Sequence, residues 1–180
     1  EHRLIERMIA LLKDALREAE EQQRVDPRFI DSATRFIREY ADRCHHGKEE
    51  DILFRELGKK PLTEEHLRIM SELVEEHKRG RETTRALVEA NRRYEQGDAR
   101  ALYEITDRIR SLVDFYPRHI QKEDKGFFLP VMEYFSDEEK DRMLEEGRAF
   151  DADLLHGEWD DLVSSLEGSP GPGEEASSRG

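Results

Sequence analysis

A chain of 180 residues is long enough to form one helical domain with a substantial core, and it needs no disulfide to hold it together. With 41% charged residues and a net charge of -13, it repels a phosphate backbone or an anionic membrane on average, and no Lys/Arg run or basic–aromatic patch offsets that charge. Its longest wholly apolar run, Met8 to Leu12, is too short to span a bilayer, so neither nucleic acid nor membrane is an expected partner.

Helix-forming Glu, Arg and Leu dominate, Gly and Pro are scarce outside the C-terminal tail, and sheet is not expected. No charged-then-apolar export signal opens the sequence. The single cysteine, Cys44, cannot form an intramolecular disulfide, which fits a reducing compartment. The expectation is a soluble, cytoplasmic protein.

A first helix is predicted from about residue 2 to 24, where Ile5, Met8, Ile9, Leu12, Leu16 and Ala19 repeat at helical spacing. Asp26-Pro27 breaks that pattern, and a second stripe through Ile30, Phe36, Ile37, Ala41, Cys44 and Ile52 runs to about Leu57, closed by Gly58 to Pro61. Thr63 with Glu64 and Glu65 marks the start of a third helix that continues to about Gln96, and Gly97-Asp98 is the next turn. A fourth begins near Asp98, meets Pro117, which should kink it rather than end it, and stops near Pro130. Ser136 with Glu139 makes a capping box for a further helical segment to about Leu166, with a break expected at Gly147. The stretch from Gly168 to Gly180, rich in Gly, Pro, Ser and Glu, reads as a disordered tail.

The expected fold is therefore all-α: an up-down-up-down four-helix bundle over residues 1–132, a C-terminal helical extension over 136–166 packed on its outside, and a tail over 168–180. Polar groups interrupt each inward stripe of that bundle. His2 stands three residues before Ile5; His45 follows Ala41 by four and precedes Glu49 by four; His46 stands three before Glu49. His77 follows Leu73 by four, and His119 follows Tyr116 by three and precedes Glu123 by four. Burying so many imidazoles and carboxylates unpaired would cost several kcal/mol per charge, so they must meet one another or a cation.

They can meet only at one height. At about 1.5 Å per residue, the climb from His2 to the first turn is roughly 34 Å and the return to His45–Glu49 roughly 31 Å. The second turn gives roughly 20 Å up and 24 Å back to His77, and the third roughly 30 Å and 35 Å to His119–Glu123. All four helices thus bring these groups to within about one turn of a common level.

The strings HHGKEEDILF and HIQKEDKGFFLP, the opening EHRLIE and the EEH of the third helix resemble the hemerythrin-like, or HHE cation-binding, family over about residues 1 to 132. The resemblance implies a four-helix bundle around a non-haem di-iron centre. Carried over residue by residue, His2 and His45 would bind one iron, His46, His77 and His119 the other, and Glu49 and Glu123 would bridge them. One departure stands out: oxygen-carrying members place two histidines four apart on the third helix, whereas here the earlier position is Leu73 and His46 makes up the count.

Mixed imidazole and carboxylate ligation suits Fe, Mn or Zn, while Ca or Mg would want oxygen alone and structural Zn usually recruits thiolate. Two divalent ions against two carboxylates leave an excess of positive charge that favours an oxo or hydroxo bridge, and seven protein ligands leave open positions for dioxygen, peroxide or nitric oxide. Glu50 and Asp124 compete by spacing with Glu49 and Glu123. Cys44 reads as a small buried filler or a redox sensor, Tyr40 and Tyr116 as core packing or ligand positioning, His66 as solvated, and His156 as lying outside the four matching helices. The expected function is iron binding with dioxygen or a related small molecule, for storage, carriage or sensing. No substrate-binding feature argues for an enzyme; a di-iron oxidase or peroxidase and an iron-dependent interaction module are the alternatives.

Overall fold

The computed structural model describes residues 1–152 and 156–168, the side chains of residues 156 and 157 excepted. Helix α1 spans His2–Gln22. Helix α2 begins as Pro27–Phe36 and runs on through Ile37–His46 and Glu49–Phe54 to Arg55–Leu57. Helix α3 spans Glu64–Glu95; helix α4 spans Ala101–Lys122 and is prolonged by Glu123–Phe127 and Phe128–Val131. After a tight turn at Met132–Tyr134 come α5, Asp137–Ala152, and α6, His156–Gly168. No strand is present among the described residues, and no helix of theirs is long and apolar enough to cross a membrane.

Local chemistry sets the helix starts. The Asp26 carboxylate accepts the Arg28 amide at 2.9 Å with Pro27 in the first turn, where a missing N–H costs nothing. Thr63 Oγ1 accepts the His66 amide at 3.2 Å, and Ser136 and Glu139 cap each other's backbone amides at 3.3 and 2.9 Å. Gly97 takes φ 95°, a conformation that side-chain-bearing residues rarely adopt, and so turns the chain between α3 and α4.

Two expectations are corrected. Helix α4 starts at Ala101, not near Asp98, because the Asp98 carboxylate is turned onto the Arg100 amide and closes a turn of its own first. Gly147 does not break the C-terminal segment: α5 runs through it to Ala152. A glycine inside a helix costs only about 1 kcal/mol, and here it faces the Lys48 side chain of α2, 4.0 Å from where a Cβ would stand. Pro117 sits inside α4, which continues past it to Lys122. The expected tail lies outside the described residues apart from Gly168, which ends α6, as does any contact of the His156 side chain with the site.

Helix α4 packs against both α1 and α3, and α2 packs against α3, closing the bundle. Its core is divided. One apolar cluster gathers Ile5, Met8, Leu12, Ile30, Phe36 and Ile105; a second gathers Phe54, Leu57, Leu73, Phe127 and Val131. Between them lies a polar layer, contacted on one side by Tyr116 of the first cluster, stacked on His46, and on the other by Phe54 of the second, stacked on His77.

Helices α5 and α6 lie against the outside of the bundle. Trp159 is buried edge-on to Phe36 with ring centroids 6.0 Å apart, and the Arg35 guanidinium lies 5.3 Å from its ring centre. Arg7 reaches Asp160 at 2.7 Å and Glu167 at 2.8 Å.

Candidate metal centre

The polar layer is built where α2 changes its winding. Over Ile37–His46 and Glu49–Phe54 the backbone bonds run in the wider π pattern, and α4 repeats this over Glu123–Phe127. A π turn rotates the chain less per residue than an α turn, so neighbouring side chains diverge less. That is why the adjacent His45 and His46 can both point inward, 6% and 2% exposed, where a regular helix would turn them well apart.

All seven residues singled out from the sequence come together. One ligand atom each from His46, Glu49, His77 and His119 lie within 4.8 Å of one another, and the same holds for His2, His45, Glu49 and Glu123. The two carboxylates span both groups. Glu49 places Oε1 3.5 Å from His45 Nε2 and Oε2 3.3 Å from His77 Nε2. Glu123 places Oε2 3.2 Å from His2 Nε2 and Oε1 3.0 Å from His119 Nε2. Glu50 and Asp124, their competitors by spacing, lie further out: Glu50 bonds Nδ1 of His77 and Asp124 bonds Nδ1 of His2.

Apart from Nε2 of His2 and Nε2 of His45, which meet at 3.0 Å, the inner atoms make no hydrogen bonds with one another. Nε2 of His46, His77 and His119 and both oxygens of Glu49 and Glu123 are buried without a hydrogen-bond partner. They are close, but they aim at shared points between them rather than at each other. Buried polar atoms are nearly always paired, so a group that fills those points is required, and a cation fits a donor set of imidazole nitrogens and carboxylate oxygens.

An outer ring of carboxylates holds the histidines in that pose. Nδ1 of His2, His45, His77 and His119 meets Asp124, Glu1, Glu50 and Glu76 at 2.8, 3.0, 2.7 and 2.8 Å. A carboxylate on Nδ1 fixes the tautomer that presents Nε2 inward and strengthens that nitrogen as a ligand. Cations hold these carboxylates in turn: Lys48 binds Glu1, Lys122 binds Glu76, and Arg81 binds Glu50 at 2.5 Å and Asp42 at 2.6 Å. Glu1, Asp42, Glu76 and Arg81 escaped the sequence reading. Glu1 and Glu76 carry only the signal of a carboxylate that meets a histidine of another helix, Asp42 that of standing four residues before His46, and Arg81 that of a cation pairing with Asp42 and Glu50.

With protons as the only cations, the layer is strongly polarised. Burial pulls His77 down, but Glu123, Glu49 and Glu50 outweigh it and push it up to about 10. Burial alone would raise Glu123, yet His119, His2 and His77 hold it far below the usual carboxylate range. His46 goes the other way: burial, then its neighbours His77, His45 and His119, push it well below its ordinary value. Burial would raise Glu1, but His45 and Lys48 bring it to about 2. Metal-binding sites place charges in this way, since each imidazolium occupies a place where a metal ion would do the same neutralising.

The profile of the Hemerythrin HHE cation binding domain matches residues 1–131. The chain belongs to this hemerythrin family. No curated protein and no solved structure matches it. The matched span ends in the last turns of α4, so the family region contains all seven inner residues and the four-helix bundle, while α5 and α6 follow it.

In this hemerythrin-family domain Leu73, one turn before His77, is fully buried in the second apolar cluster among Phe54, Phe127 and Val131. His46 enters the layer from α2 and lies nearly parallel to His77, ring centroids 3.9 Å apart. Cys44 is buried, its thiol pushed up to about 12, chiefly by burial, and set against Asp151. A buried thiol kept un-ionised is a poor nucleophile. His66 bonds the Tyr134 hydroxyl at 2.9 Å, away from the site.

Proposed function

We propose that this hemerythrin-family domain binds two iron ions in the polar layer and uses the pair to take up dioxygen or a related small molecule, for storage, carriage or sensing. His2 and His45 serve one ion and His46, His77 and His119 the other, with Glu49 and Glu123 shared. The observation that carries this reading is the set of buried, unpartnered nitrogen and carboxylate atoms aimed at two shared points, each central carboxylate offering one oxygen to each side. When bound, an iron pair supplies open coordination positions and reversible electron transfer. The chain's own part is to fix the Nε2 tautomers through the outer carboxylates, to keep the layer dry between two apolar clusters, and to spread the charge of Glu49 and Glu123 over both ions.

Metal analysis and an absorption spectrum of the aerobically purified protein test this directly. About two irons per chain with near-ultraviolet charge-transfer bands are expected; a folded, colourless, metal-free protein would overturn it. Rapid turnover of added peroxide or Fe(II) would instead favour an oxidase or peroxidase.

A second reading, an iron-dependent interaction module, draws on one observation. Lys48, two residues from His46, binds both Glu1 and Asp151 of α5, the former beside His2 and the latter outside the matched span. Metal loss that loosened this corner would release α5. Protease sensitivity confined to α5 and α6 on iron removal would favour that reading.

A further inference from the structure

His46 is the exception in the outer ring. The other four inner histidines each have a carboxylate within 3.0 Å of Nδ1, but Nδ1 of His46 is buried with no hydrogen-bond partner. The nearest candidate, Asp42, stands 3.5 Å away because Arg81 Nε takes its oxygen at 2.6 Å. His46 is one of the residues lining a cavity of about 370 Å³ between α2 and α3.

The lining of that cavity is positive in a chain of net charge -13. Arg38 on α2 and Arg85 on α3, both exposed, line it together with Arg81, against the single carboxylate of Asp42. Neither Arg38 nor Arg85 has an ion-pair partner among the described residues. The Tyr116 ring lines the cavity too, parallel to His46 and 6.4 Å from it, and its phenol has no partner among the described residues. A positive mouth with low-dielectric walls concentrates small anions, and a neutral gas needs none of it.

We propose that this cavity is a binding site for a small monovalent anion, of the carboxylate or bicarbonate kind, that accepts the His46 Nδ1–H and the Tyr116 O–H. The anion supplies for His46 what Glu1, Glu50, Glu76 and Asp124 supply for the other histidines. Arg38 and Arg85 draw it in. The site rests on the reading that His46 presents Nε2 to a metal, and it makes the fifth histidine's support dependent on a solute rather than on the chain.

Formate is a suitable probe, read by the line width of its carbon resonance on titration of the metal-free protein and again of the iron-loaded protein by absorption. Saturable binding is expected to the wild type. Arg38→Gln/Arg85→Gln should weaken it at least about tenfold, and Tyr116→Phe should weaken it while leaving thermal stability near wild type. The charge-matched Arg92→Gln/Arg108→Gln should bind as wild type does, which separates a local site from net charge. Absence of saturable binding by the wild type, or equal weakening in both double variants, would overturn the proposal. Failure of the iron reading shows separately, as absence of metal from the wild-type protein.

Discussion

His46 lies face to face with His77, ring centroids 3.9 Å apart and planes 13° from parallel, yet their proton affinities are pushed in opposite directions. Near neutral pH, with protons as the only cations, the stack is therefore a neutral imidazole over an imidazolium. His77, raised from 6.5 to about 10, stabilises the metal-free fold fully below pH about 6.5, and that contribution is lost as pH rises toward 10. Melting temperatures of the metal-free protein should accordingly fall between pH 7 and 10, while those of the iron-loaded protein stay level. Equal slopes for both forms would mean that His77 does not exchange its proton for the metal.

The shared carboxylates and the terminal histidine should behave differently on truncation. Glu49 and Glu123 each reach both histidine groups, so Glu49→Ala or Glu123→Ala should empty the site. His2 opens α1 and keeps 13% of its side chain exposed, so His2→Ala should retain one iron and release the other more readily. Iron content after dialysis against a chelator decides between these roles. Two irons retained by Glu49→Ala, with none in His2→Ala, would reverse them.

Glu76 is half-buried between His119 and Lys122 and touches no inner point of the site. Glu76→Gln keeps its shape but removes the charge that strengthens His119. Loss of such an outer partner typically costs about 10–100-fold in metal affinity. Competition with a chelator of known affinity should show that loss, with the thermal stability of the metal-free protein changed far less. An unchanged affinity would place Glu76 in the fold alone.

Trp159 is the only tryptophan, so its fluorescence reports α6 and nothing else. Buried against Phe36, it should emit at short wavelength in the folded protein and shift to the red when α6 leaves the bundle. Trp159→Ala should destabilise the chain by about 3–5 kcal/mol in urea unfolding if α6 and bundle unfold together. A red-shifted wild-type spectrum, or no stability loss, would show that α6 does not dock as described.

The positions of the inner groups were legible in the sequence because height and face along a helix are one-dimensional properties. A fixed rise and rotation per residue place His2, His45, Glu49, His77, His119 and Glu123 once the turns at Asp26-Pro27, Gly58–Pro61 and Gly97-Asp98 are read. The stop expected at Gly147 failed for the complementary reason: a glycine's local cost is small, and packing against α2 overrides it.

What only the tertiary structure decided is who meets whom across the bundle. Spacing ranked Glu49 ahead of Glu50 only by its nearness to the inward stripe; the π winding of α2, which changes the angle of every side chain after Ile37, sets Glu49 among the inner atoms and Glu50 on Nδ1 of His77. Nor could spacing pair Glu76 with His119, Glu1 with His45, or Arg81 with Asp42, since each contact depends on the relative rotation of two helices that are remote in sequence. The unsupported face of His46 and the positive cavity before it belong to the same class. They exist only in the space between α2 and α3, and no local pattern of residues encodes a gap.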